Sequence, residues 1–161
     1  MTEEQERNLL AEYVASCRRL HIGFEDTASL VAAIMPIDAV QIDTLATGDE
    51  TLVLAYLKRF EQFEDTLHRT LKAISKIMEY GKIERLTARD VTNRAHALGI
   101  LASDKVWADA VRTRNALAHE YPLDPVKRAN QLARAWASRE TLNTTWAAIQ
   151  RFVAEEGLLD D

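Results

Sequence analysis

Residues 50–79 read "ETLVLAYLKRFEQFEDTLHRTLKAISKIME". Leu52, Tyr56, Phe60, Phe63, Leu67, Leu71, Ile74 and Met78 follow one another at steps of three or four residues. That spacing lines apolar side chains along one face of a helix packed against others. A single long helix over about 50–79 therefore organises the chain, and "YGK" at 80–82 is its expected close.

Outward toward the N-terminus, residues 36–49, "PIDAVQIDTLATGD", read as a loop with at most one helical turn. A short helix over about 26–34 is expected to end before Pro36, because the residue preceding a proline is pushed out of helical angles. The first helix is expected over about 3–20. Thr2 and Gln5 suit a capping box, and Leu9, Leu10, Tyr13, Val14, Cys17 and Leu20 recur at helical spacing. Gly23 is the expected stop.

Outward toward the C-terminus, Thr87 and Gly99 bracket a further helix as a start and stop pair. Ser103 caps the next, with Trp107, Ala110, Val111 and Leu117 on its inner side. Pro122 ends that helix near Tyr121. Asp124 and Pro125 then stand as N-cap and first helical residue of a final helix to about residue 155, with Leu132, Trp136, Leu142, Trp146, Ile149 and Val153 buried and Gly157 following. No strand pattern or repeat is visible. The expected fold is all-α: one domain over 1–161, an antiparallel up-and-down bundle of about five helices with its core in about 50–155.

Composition agrees with this. The 161 residues are 47% hydrophobic and 28% charged, with only five Gly and three Pro, too few turns for many short strands. Cys17 is the single cysteine and reads as a small buried hydrophobe in a reducing, cytoplasmic setting. The start "MTEEQERN" is acidic, the reverse of a signal peptide, and "LVAAIMPI" is too short to span a bilayer. The net charge of −5 argues against a general nucleic-acid coat. Charge is unevenly placed, however: residues 85–151 carry eleven Lys or Arg against six Asp or Glu. That surplus suits a phosphate-bearing ligand, and equally a mixed solvated surface.

Within the basic region lies "RTRNALAHEYPLDP", residues 112–125. Asn115 and His119 are four apart and share a helix face, whereas Arg114 lies about 140° round from His119. The histidine sits at a helix C-terminus, where the macrodipole favours its protonated form. Beside a phosphodiester, such a histidine could move the proton of a 2′-hydroxyl or of the leaving group. The arginine could stabilise the developing charge. The carboxylates nearby, Glu120 and Asp124, lack metal-ligand spacing, so neither a metal nor another cofactor is expected. From spacing alone a second reading stands beside this one: a polar network joining helices, with Tyr121 a half-buried anchor.

The pattern "RNALAHEY" resembles the R-x4-H-x-Y signature of HEPN-domain proteins, in the HepT-like toxin branch. "PLDP" and the upstream "RFEQFEDTLHRTLKAI", with Arg59, Asp65 and Thr66, are similar to the same branch. The similarity covers about residues 50–152. The resemblance implies a metal-independent endoribonuclease acting on RNA (tRNA or mRNA) in a composite cleft between two copies of the chain. Arg114 and His119 would be catalytic and Asn115 would orient the site. Tyr121 would be the residue to which an MNT-type nucleotidyltransferase antitoxin attaches AMP. Some HEPN relatives instead serve as non-catalytic, nucleotide-binding partners of a nucleotidyltransferase.

Three further expectations concern individual polar residues. Asp65 is expected to bond to the motif arginine or histidine across the bundle, or to lie exposed. Arg112, Arg128 and Arg134 either widen a phosphate-binding surface or are ordinary solvated charge. His21, His68 and His96 are expected to be surface or packing residues.

Overall fold

The computed structural model describes residues 1–79 and 85–160. Among these lie seven α-helical segments and no strand: α1 (Glu3–Val31), α2 (Ala39–Asp43), α3 (Thr47–Met78), α4 (Ala88–Ala97), α5 (Asp104–His119), α6 (Pro125–Ala137) and α7 (Arg139–Glu155). The expected close at 80–82 falls outside the described residues.

The long helix is the axis of the molecule, and α1, α4, α5, α6 and α7 all pack against it. Along its inner face Tyr56, Phe60, Phe63, Leu67, Leu71 and Ile74 are fully buried. Helix α1 runs antiparallel to α3: Glu6 approaches Lys76, Cys17 meets Thr70, and Phe24 stacks on Tyr56. Helix α5 is antiparallel to α3 as well, since Trp107 meets His68 while Arg114 meets Glu64. The Tyr56 hydroxyl donates to the Ala135 carbonyl at 2.9 Å and ties α6 to α3. Cys17 is a free, buried thiol whose pKa burial pushes up to about 11.

The helix starts follow their local signals. Thr2–Gln5 and Thr87–Asp90 form capping boxes, Ser103 accepts from the Val106 amide, and Asp124 accepts from the Val126 amide with Pro125 behind it. A further box, Asp38–Gln41, begins the five-residue α2, the single turn expected within 36–49. Gly99 ends α4 with φ at 78°, a backbone angle that glycine adopts without strain.

Two boundaries differ from the sequence reading: one merges two expected helices and the other splits one, and with the short α2 the described residues hold seven helical segments. Gly23 does not stop α1, which continues without interruption to Val31 and absorbs the short helix expected at 26–34. Phe24, one residue on, is fully buried with its ring centroid 5.4 Å from that of Phe63. Burying a phenylalanine is worth about 1.5–3 kcal/mol, more than the roughly 1 kcal/mol a mid-helix glycine costs. The second difference is the break of the final helix at Ser138, where φ is −80° and ψ −5°. Both halves pack on α3 and α5, with α2 beside α6 before the break and α1 beside α7 after it.

Candidate functional site

Helix α5 carries the basic motif. Ser103 caps it, Trp107, Ala110, Val111 and Thr113 bury its inner stripe, and Glu120 leaves it in extended conformation at φ −125° and ψ 130°. The helix thus stops at His119, just before the expected end near Tyr121. Asn115, His119 and Tyr121 are all exposed, Tyr121 to 73%.

Arg114 faces the other way. Its side chain is 18% exposed, and Nε donates to Oε2 of Glu64 at 2.6 Å. The Glu64 side chain is wholly buried, and its second oxygen has no partner among the described residues. Burial pushes the Glu64 carboxyl up to about 7, even though Arg114 draws it down. Asp65, the acid expected to meet the motif, touches Arg114 only at 3.8 Å and is held at 2.8 Å by Arg69. The bond across the bundle was anticipated one residue away from where it forms.

Behind Arg114 stands His68, expected as a surface or packing residue and found packed on Trp107. Its Nδ1 accepts from the indole Nε1–H of Trp107 at 3.4 Å, with the two ring planes 5° apart. Burial first, then the charges of Arg114 and Lys72, lower its pKa to about 4, so the imidazole is neutral near pH 7. Glu64 could have been found in the sequence. It lies four residues after Phe60 and three before Leu67, a carboxylate within the apolar stripe, and such a group needs a buried partner. His68 carries no comparable signal, because its partner Trp107 is 39 positions away.

The remaining residues are placed as follows. Arg112 forms an exposed ion pair with Asp109, one helical turn back. Arg128 is bound to Asp43 at 2.9 Å and so ties α6 to α2. Arg134 is exposed on α6. Tyr121 and Pro122 border a groove of about 200 Å³ together with Leu54, Leu57, Leu117 and Arg128. Arg114 lines a separate cleft of about 420 Å³ with Asp65, His68, Arg69 and Lys72. Of the other histidines, His21 packs on Phe63 at 5.6 Å and His96 bonds through Nδ1 to the Leu101 carbonyl at 2.8 Å.

The structure therefore brings together Arg114, Glu64, Asp65 and His68. It sets Asn115, His119 and Tyr121 apart from them on the exposed end of the same helix. Among the described residues no group of three or more His, Cys, Asp or Glu is placed to hold a metal ion, and no helix is long and apolar enough to cross a membrane. Comparison with protein-family models, curated proteins and solved structures finds no match for this chain.

Proposed function

We propose that the chain is a HepT-like toxin: a metal-independent endoribonuclease that works as a pair of copies in the cytoplasm. The observation that carries this reading is the joint exposure of Asn115, His119 and Tyr121 at the C-terminal end of α5, in the R-x4-H-x-Y order. An exposed histidine at a helix end can exchange protons with an RNA strand. In the reaction, His119 of one copy takes the 2′-hydroxyl proton. The freed oxygen attacks the adjacent phosphorus, and the P–O5′ bond breaks. His119 of the other copy protonates the departing 5′-oxygen, leaving a 2′,3′-cyclic phosphate and a 5′-hydroxyl. The helical repeat turns Arg114 about 140° away from His119 within one chain, so a guanidinium must reach the reacting phosphate across the paired copies.

Regulation follows from Tyr121. Its exposed phenol can be presented to an MNT-type nucleotidyltransferase, and an attached AMP would place negative charge where the RNA phosphate must lie. Leu123, 85% exposed, and Val126, also exposed, adjoin it in sequence and suit contact with a protein partner.

A second reading is favoured by the Arg114–Glu64 bond, which gives the arginine a structural role. The chain would then be a non-catalytic module that docks a nucleotidyltransferase or holds a nucleotide. Incubation of the purified protein and of His119→Ala with total RNA, in the presence of a chelator, separates the two. The toxin reading requires cleavage by the wild type and none by the variant. Intact RNA after incubation with folded wild type would leave the binding module.

A further inference from the structure

The cleft lined by Arg114 is walled by α1, α3, α4 and α5, and none of Asn115, His119 or Tyr121 reaches it. At about 420 Å³ it falls within the roughly 300–1,000 Å³ typical of small-molecule sites. Among the described residues four cations line it: Arg69, Lys72, Lys76 and Arg114. The acids on the wall among the described residues are Glu6 and Asp65, with Glu64 buried behind Arg114.

The partners of these cations are unequal. Arg69 is satisfied by Asp65 at 2.8 Å. Lys76 reaches Glu6 only at 4.0 Å. Arg114 uses Nε on Glu64, and its terminal nitrogens make no closer approach than 3.8 Å to Asp65. Lys72 has no ion pair among the described residues. His68 adds a neutral donor. With Nδ1 occupied as an acceptor from Trp107, its proton sits on Nε2, which has no partner among the described residues. Lys72 and Arg114 crowd the same imidazole closely enough for their charge to oppose its protonation. Like charges gathered at one wall are stabilised by a compact anion that bridges them.

We propose that this cleft is a binding site for a small phosphomonoester. Its phosphate is received by Lys72 Nζ, the terminal nitrogens of Arg114 and Nε2–H of His68, and the body of the ligand lies against Leu9, Ala73, Leu86 and Val91. A dianion matches the two incompletely paired cations. A neutral His68 donates to it without adding a third charge. The site makes no use of His119, and Arg114 is the residue it shares with the proposed RNA chemistry.

The test is calorimetric titration of the full chain at low salt and pH 7.5, where a phosphomonoester is a dianion. The titrants are inorganic phosphate, AMP and glucose 6-phosphate, with adenosine and glucose as unphosphorylated controls. Binding by at least one phosphorylated titrant and by neither control is expected. A tighter fit for AMP or the sugar phosphate than for phosphate places the ligand's body in the cleft, and equal affinities assign the site to the phosphate group alone. Lys72→Glu should weaken binding roughly tenfold or more with an unchanged melting curve, and Lys72→Gln serves the same purpose if the charge reversal disturbs the fold. His119→Ala should bind as the wild type does, even where it has lost RNA cleavage. Absence of binding by all three phosphorylated titrants, or unaltered binding by both Lys72 variants, overturns the proposal.

Discussion

Nε of Arg114 donates to Oε2 of Glu64 at 2.6 Å, joining α5 to α3 through a carboxylate that is wholly buried. The pair brings a motif arginine into the frame of the bundle. It also leaves Oε1 of Glu64 without a partner among the described residues, so among these the carboxylate is stabilised on one side only.

Removing the arginine should therefore unsettle the fold. Breaking a buried pair from one side costs about 3–5 kcal/mol, and Glu64 can relieve part of that by taking up a proton. We expect Arg114→Ala to lose about 3 kcal/mol in urea denaturation, and Glu64→Gln in the same chain to restore part of the loss. An Arg114→Ala midpoint equal to that of the wild type would show that the pair contributes nothing. For the same reason His119→Ala is the cleaner probe of chemistry.

The pH dependence of stability should hide two opposed contributions. Glu64 stands at about 7 in the folded chain against an ordinary 4.5. Its contribution is complete below about 4.5 and is lost as pH rises toward 7. His68 stands at about 4 against 6.5, so its contribution is present above 6.5 and is lost as pH falls toward 4. Relative to the wild type, Glu64→Gln should gain stability between pH 5 and pH 7. Over the same interval His68→Gln should lose it. Urea midpoints at the two values measure this, and changes of the same sign in both variants would refute the assignment.

Gly23→Ala separates a continuous helix from a helix stop. A Cβ at Gly23 would run into the end of the Arg59 side chain, which is exposed and free to swing away. Within an unbroken α1 the alanine should stabilise by about 0.5–1 kcal/mol through helix propensity. A loss of stability in thermal melting would instead point to a glycine-specific turn at this position.

Tyr121→Phe should leave thermal stability within about 0.5 kcal/mol of the wild type, as surface changes do, because the side chain is 73% exposed. Under the toxin reading, co-expression with the partner nucleotidyltransferase adds one or more AMP units to the wild-type chain and none at residue 121 of the variant. Intact-mass and peptide mass spectrometry read both outcomes. AMP found elsewhere on the wild type would remove Tyr121 from its proposed role.

Much of the architecture was legible in the residue order. The three-and-four spacing from Leu52 to Met78 marked the helix around which the others pack. Thr2, Thr87, Ser103 and Asp124 marked four helix starts, and Gly99 marked a stop. The candidate site was legible in part. Exposure of His119 and Tyr121 follows from a helix that ends before Pro122, whereas the inward turn of Arg114 does not.

What the residue order determined by itself is whatever depends on neighbours three or four positions apart. Capping boxes, apolar stripes and proline stops are bonds and contacts of that range, so α5 and its exposed end could be drawn from the sequence. Tertiary structure alone decided the rest. Phe24 found a pocket against Tyr56 and Phe63 and carried α1 through Gly23. The last helix broke at Ser138, with α2 packed beside its first half and α1 beside its second. Glu64 rather than Asp65 received Arg114, because a bond spanning 50 positions depends on how α3 and α5 are rotated against each other. That rotation is set by the packing of the whole core, and adjacent residues on one helix point about 100° apart.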